Sequence, residues 1–151
     1  MNKRTLVAML IALVVAGFSA LHGNTERAIA PLPAAPAAVA SIDQLTEPKR
    51  VARYLQQHQR LPDYYLTKKQ ARDRGWEVSE GNLCQVLPGK AIGGDRFSNR
   101  EGRLPMAKTR VWREADINYR CGRRGADRLL YSSDGLIFIT RDHYKNFIRM
   151  E

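Results

Sequence analysis

Val111-Trp112-Arg113-Glu114-Ala115-Asp116-Ile117-Asn118-Tyr119 has the alternation of a β-strand with two unlike faces. Side chains two residues apart share a face, so Val111, Ala115 and Ile117 fall on one side and Glu114, Asp116 and Asn118 on the other. The second face is the polar one. Downstream, Asp127 to Ser132 and Leu136 to Thr140 are further strand-like runs. The breaks between them, Arg120-Cys121-Gly122-Arg123-Arg124-Gly125 and Ser133-Asp134-Gly135, carry the residues that turns need. Successive strands joined this way pair antiparallel. Arg128 then lies opposite the first strand, able to point across its polar face toward Asp116 or Glu114, although surface ion pairs leave the same trace in a sequence.

Upstream the period changes. Thr46 is placed to cap a helix whose first turn holds Glu47 and Pro48, with Val51, Tyr54 and Leu55 at helical spacing and an end before Leu61-Pro62. Thr67 caps a second helix that runs to Arg74 and stops at Gly75, and Asn82 starts a short third one before Pro88-Gly89. Helices first and strands after them predict an α+β fold, N-terminal helices packed on a C-terminal antiparallel β-sheet.

The N-terminal residues have another character. Lys3 and Arg4 precede thirteen apolar residues, Leu6 to Phe18, a length that fits the core of a secretory signal better than a bilayer span. Residues 1–20 therefore read as a signal peptide, with an uncleaved N-terminal anchor as the other reading. Small residues permit cleavage after Ser19, and Ala38-Val39-Ala40 is a second candidate. Residues 21–40 form an Ala/Pro-rich linker in which Pro31, Pro33 and Pro36 disfavour a regular helix. Residues 41–151 suit one domain with one core. The expected location is secreted or periplasmic.

Of the 25 Lys and Arg and 15 Asp and Glu in the chain, only Lys3, Arg4, Arg27 and Glu26 precede the domain, which keeps 22 cations against 14 anions, a formal +8. Sixteen of those cations are arginine, whose planar fork suits phosphate better than lysine's point charge does. A polyanionic partner follows, nucleic acid or an anionic membrane surface, unless the charge serves only solubility. The two cysteines, Cys84 and Cys121, both lie in the exported part. They point to a disulfide rather than a zinc site, which wants more ligands; two free thiols are the alternative. No metal or cofactor is expected.

Glu114 and His143, with Arg124 and Arg128 between them in sequence, are groups able to pass a proton in opposite directions beside two phosphate-binding cations. Three histidines occur, His22 in the leader, His58 on the first helix and His143, so His143 alone serves the C-terminal half. On a small basic domain this set points to phosphodiester cleavage.

Ile92-Gly93-Gly94-Asp95, Phe97-Ser98-Asn99-Arg100-Glu101-Gly102, Trp112 to Tyr119, Tyr131-Ser132-Ser133-Asp134 and Asp142-His143-Tyr144 keep the order and spacing of a known family. Leu61-Pro62-Asp63, Tyr65, Thr67-Lys68, Gly75-Trp76 and Gly81-Asn82-Leu83 extend the match over nearly the whole domain. The chain resembles the barnase-type family of guanyl-specific microbial ribonucleases. That resemblance implies an exported endoribonuclease acting on single-stranded RNA, with Glu114 as general base, His143 as general acid, and Lys68, Arg124 and Arg128 as the cations that neutralise the phosphorane. It implies base contact from Phe97, Ser98, Asn99, Arg100 and Glu101, and from Tyr144 as the ring better placed to stack, Phe97 reading more readily as a core residue. Asp116 would orient the arginines, and Asp95 would support the site without touching substrate. A monomer and an acidic intracellular protein inhibitor complete the expectation. Arg123, Gly125 and Gly135 depart from the family pattern, as do the two cysteines. A cationic exported RNA- or membrane-binding protein without turnover is the competing reading.

Overall fold

The computed structural model describes residues 39–151; the expected leader, its cleavage site after Ser19 and nearly all of the linker lie outside the described residues. Among the described residues, no helix is long and apolar enough to cross a membrane. In chain order the elements are α1 (Ile42–Leu45), α2 (Pro48–His58), β1 (Tyr65–Leu66), α3 (Lys68–Asp73), a 3-10 turn (Val78–Glu80), α4 (Leu83–Val86), β2 (Ala91–Phe97), β3 (Trp112–Asp116), β4 (Arg128–Ser132), β5 (Ile137–Thr140) and β6 (Ile148–Met150). The six strands form one sheet in sequential order. All neighbours are antiparallel except β1 and β2. This is the α+β architecture expected, with one parallel edge added.

Two capping readings change. Thr46 does not cap α2. Glu47 does, its carboxylate accepting from the amides of Lys49 and Arg50 at 3.1 and 3.0 Å, with Pro48 at the first helical position where its missing N–H costs nothing. Thr46 instead closes α1, its hydroxyl donating to Ile42 O and accepting from Tyr119 N at 3.0 Å. Asn82 precedes α4 but uses its side chain elsewhere, accepting from Glu77 N and donating to Gly75 O. Thr67 caps α3 as expected, in a capping box with Gln70.

Beyond the three strands expected, the sheet gains β1, β2 and β6, and β2 carries the irregularity that shapes the site. Its register on β3 slips between Gly93 and Asp95, a bulge centred on Gly94 at φ +103°. Gly93 lies under Tyr65 so closely that an added Cβ would stand 2.6 Å from that ring. The bulge leaves Asp95 opposite Glu114.

Two clusters sandwich the sheet. Val51, Ala52 and Leu55 of α2 join Tyr65, Ala115, Ile117, Leu129 and Ile139 in the larger one. On the other face Leu104, Trp112 and Leu130 form a smaller one, packed with Phe97, Phe138, Tyr144 and Phe147. The Cys84–Cys121 disulfide, with Cα atoms 5.6 Å apart, ties α4 to the loop after β3.

Candidate active site

Residues 114 and 116 share the face of β3 opposite the helices, as alternation predicts, but that face is not a solvated one. Glu114 and Asp116 are 7% and 2% exposed. Carboxylates tolerate such burial only when charges and donors replace the lost water, and each has them.

Glu114 Oε1 accepts from Lys68 Nζ at 3.1 Å, and Oε2 accepts from the Tyr144 hydroxyl at 2.6 Å. Burial first, and then the Glu114 carboxylate, push the Tyr144 hydroxyl well above its ordinary value, so it stays protonated and donates. Lys68 reaches Glu114 because α3 starts in the right place: Lys68 N donates to Asp95 Oδ2 at 2.9 Å, and Asp95 was set opposite Glu114 by the bulge.

Asp116 holds two arginines. Arg124 grips it through two bonds, Nε to Oδ2 at 2.8 Å and Nη2 to Oδ1 at 2.6 Å. Burial alone would lower the Arg124 guanidinium's affinity for its proton, but the hydrogen bonds and charge of Asp116 outweigh it and the net shift is upward. Arg128 faces Asp116 directly across β3 and β4. Its Nε lies 3.2 Å from Asp116 Oδ1, an ion pair without an aligned hydrogen bond. Arg128 Nη1 donates to the carbonyls of Gly125 and Asp127. Arg128 is only 4% exposed.

His143 is exposed and sits on the turn after β5 in the left-handed region, φ +54°, followed by Tyr144 at +71°. Two such residues in succession are strained without glycine, and Asp142 holds them. Its carboxylate accepts from Thr140 Oγ1, from the amides of Lys145 and Asn146 and from Asn146 Nδ2. His143 N donates to Ala126 O, and its ring lies 4.8 Å from that of Tyr144.

A pocket of about 420 Å³ lies between this turn and the loop after β2, lined by Ser98, Asn99, Arg100, Glu101, His143 and Tyr144 among others. Phe97 forms its floor, stacked on Tyr144 at 5.1 Å and packed into the smaller core. Asn99 closes the loop with a double tie, Nδ2 donating to Leu104 O and Oδ1 accepting from Leu104 N. Tyr144 is the hinge of the whole arrangement, one side on the pocket and its hydroxyl on Glu114. A larger cleft of about 860 Å³, lined by Gln56, Arg60, Arg113 and Tyr131 among others, contains none of the candidate residues.

A family model described as ribonuclease matches residues 48–151. The chain is similar to a ribonuclease of Bacillus pumilus, 50% identical over 156 residues that span 97% of this chain and 94% of the relative. A ribonuclease of Heyndrickxia coagulans is 64% identical over 100 residues, 66% of this chain and 92% of that one.

The chain belongs to the barnase-type ribonuclease family.

A third relative, a ribonuclease of Bacillus intermedius, is 64% identical over 100 residues, covering 66% of this chain and 62% of that one. In this ribonuclease, several residues that hold the site together were not among the expected site residues. Thr140 and the Tyr65 hydroxyl, which donates to Asp116 O at 2.7 Å, are two. Arg103 is a third, since the Tyr144 and Lys145 carbonyls to which it donates are 41 and 42 residues away.

Proposed function

We propose that this chain is an exported endoribonuclease that cleaves single-stranded RNA, preferentially 3′ of guanosine, by transphosphorylation to a 2′,3′-cyclic phosphate followed by hydrolysis. The observation that carries the reading is the buried Glu114 carboxylate, held by Lys68 and Tyr144, beside the paired arginines and linked through Tyr144 to the pocket that His143 lines. RNA brings its own nucleophile. Glu114 takes the 2′-hydroxyl proton as that oxygen attacks phosphorus, and His143 gives a proton to the departing 5′-oxygen. Hydrolysis of the cyclic phosphate runs the two roles in reverse. Lys68, Arg124 and Arg128 face the charge that builds on the phosphorane oxygens, and Asp116 fixes the arginines in advance so that little reorganisation is needed. Asp95 acts at one remove, through Lys68.

Guanine presents acceptors at O6 and N7. Among the described residues, the amides of Ser98, Asn99 and Arg100 donate to no protein acceptor, which leaves them for those atoms, while the Glu101 carboxylate accepts from N1 and N2. Adenine presents the wrong pattern to this set. Tyr144 supplies the stacking face.

Replacing Glu114 by Gln, or His143 by Gln, is expected to lower turnover of RNA by about 10²–10⁴-fold with RNA binding retained. Cleavage at the unmutated rate in either variant contradicts the assignment. An acidic intracellular inhibitor with its carboxylates facing Arg100, Arg124 and Arg128 is the partner this charge distribution would steer most strongly. If no acidic host protein suppresses cleavage by the purified enzyme, that part of the proposal falls.

A further inference from the structure

Arg103 belongs to neither the catalytic set nor the base-contacting set, yet its guanidinium touches residues of both segments. Nε lies 2.9 Å from Glu101 Oε2. Nη1 donates to the backbone carbonyl of Tyr144 at 3.5 Å and to that of Lys145. The Glu101 side chain is 73% exposed and stands beside Gly102 at φ +65°, on a loop tip with little packing to fix a direction. The aromatic contacts between the same two segments, Phe97 with Tyr144 and with Phe147, hold the loop down but do not aim a carboxylate.

We propose that Arg103 is a positioning residue for base recognition: anchored on the Tyr144 and Lys145 carbonyls, it aims the Glu101 carboxylate into the base pocket. The inference rests on the guanine reading given above. Arginine suits the task because its broad planar fork holds the carboxylate as an ion pair beside Nε while Nη1 donates to the two carbonyls, a fixed spread that a compact ammonium lacks. A solvated ion pair of this kind adds little to folding stability, so its purpose and its contribution to stability separate experimentally.

The test measures kcat/KM on the dinucleotides GpA and ApA, with thermal melts, for the unmutated protein and for Arg103→Gln, Arg103→Lys and Glu101→Gln. Arg103→Gln is expected to lower the GpA to ApA ratio by about 10–100-fold, the scale of a misplaced contact. The loss falls on GpA, ApA turnover stays within about twofold, and Tm stays within about 2 °C. Arg103→Lys is expected to fall between the two. If Glu101→Gln lowers the ratio and Arg103→Gln does not, the role of Arg103 is overturned and the guanine reading stands. If Glu101→Gln leaves the ratio unchanged, the guanine reading falls and this inference with it. An equal loss on both dinucleotides in Arg103→Gln also overturns it.

Discussion

Asp116→Asn keeps the shape of the side chain and removes its charge, which isolates what that charge does. Arg128 is 4% exposed. Asp116 is its one ion-pair partner among the described residues, at 3.2 Å, and its other contacts are the neutral carbonyls of Gly125 and Asp127. With asparagine at 116, a buried guanidinium has no counter-charge, and breaking such a pair costs about 3–5 kcal/mol. Arg124, tied to the same carboxylate but less buried, adds to the effect without dominating it. A domain of about 110 residues unfolds with an entropy of roughly 0.23 kcal/mol/K, so Tm is expected to fall by about 13–22 °C. Circular dichroism melts at pH 7 measure this directly. Cleavage assayed well below the lowered Tm is expected to fall as well, because the arginines lose their fixed orientation. A decrease in Tm of less than about 5 °C would refute the argument that Asp116 compensates Arg128.

Asp142 yields a pH prediction. Hydrogen bonds from Asn146, and then from Thr140 and the Lys145 amide, hold its carboxyl at about 2 against an ordinary 3.8. A depressed acid contributes its full stability above the unfolded value and loses it as pH falls toward the folded one. The Tm difference between the unmutated protein and Asp142→Asn should therefore be largest at pH 6 and shrink between about pH 4 and pH 2; a constant difference contradicts it. Removing the disulfide with the pair Cys84→Ala and Cys121→Ala should cost roughly 4 kcal/mol for a closed loop of about 38 residues, seen as a lower urea midpoint. Cleavage per folded molecule should stay unchanged at low temperature, since neither cysteine is among the proposed catalytic or base-contacting residues.

The strands nearest the site were legible because β3 alternates and β4 and β5 are apolar runs bounded by turn residues, while the register that pairs Arg128 with Asp116 rather than Glu114 is set by the fold. What alternation does not reveal is burial. A polar face reads as a solvated one, yet Glu114 and Asp116 are interior because Lys68, Arg124, Arg128 and Tyr144 close over them. Strand β2 was hidden by Gly93-Gly94-Asp95, residues poor in strand propensity that the fold needs there, Gly93 for its approach to Tyr65 and Gly94 for the bulge. Thr46 misled because a threonine before Glu-Pro has the pattern of a cap, whereas its hydroxyl answers to Ile42 and Tyr119. Arg103 left no trace, since the carbonyls it grips are 41 and 42 residues away and come near it through tertiary packing, including that of Phe97 on Tyr144 and Phe147.

We propose that one site both reads guanine and moves the two protons. The most direct test is product analysis of the purified protein incubated with GpA, ApA, CpA and UpA in EDTA. Release of guanosine 2′,3′-cyclic phosphate well ahead of the other three cyclic nucleotides is the predicted result. RNA bound with none of the four dinucleotides cleaved would contradict the account.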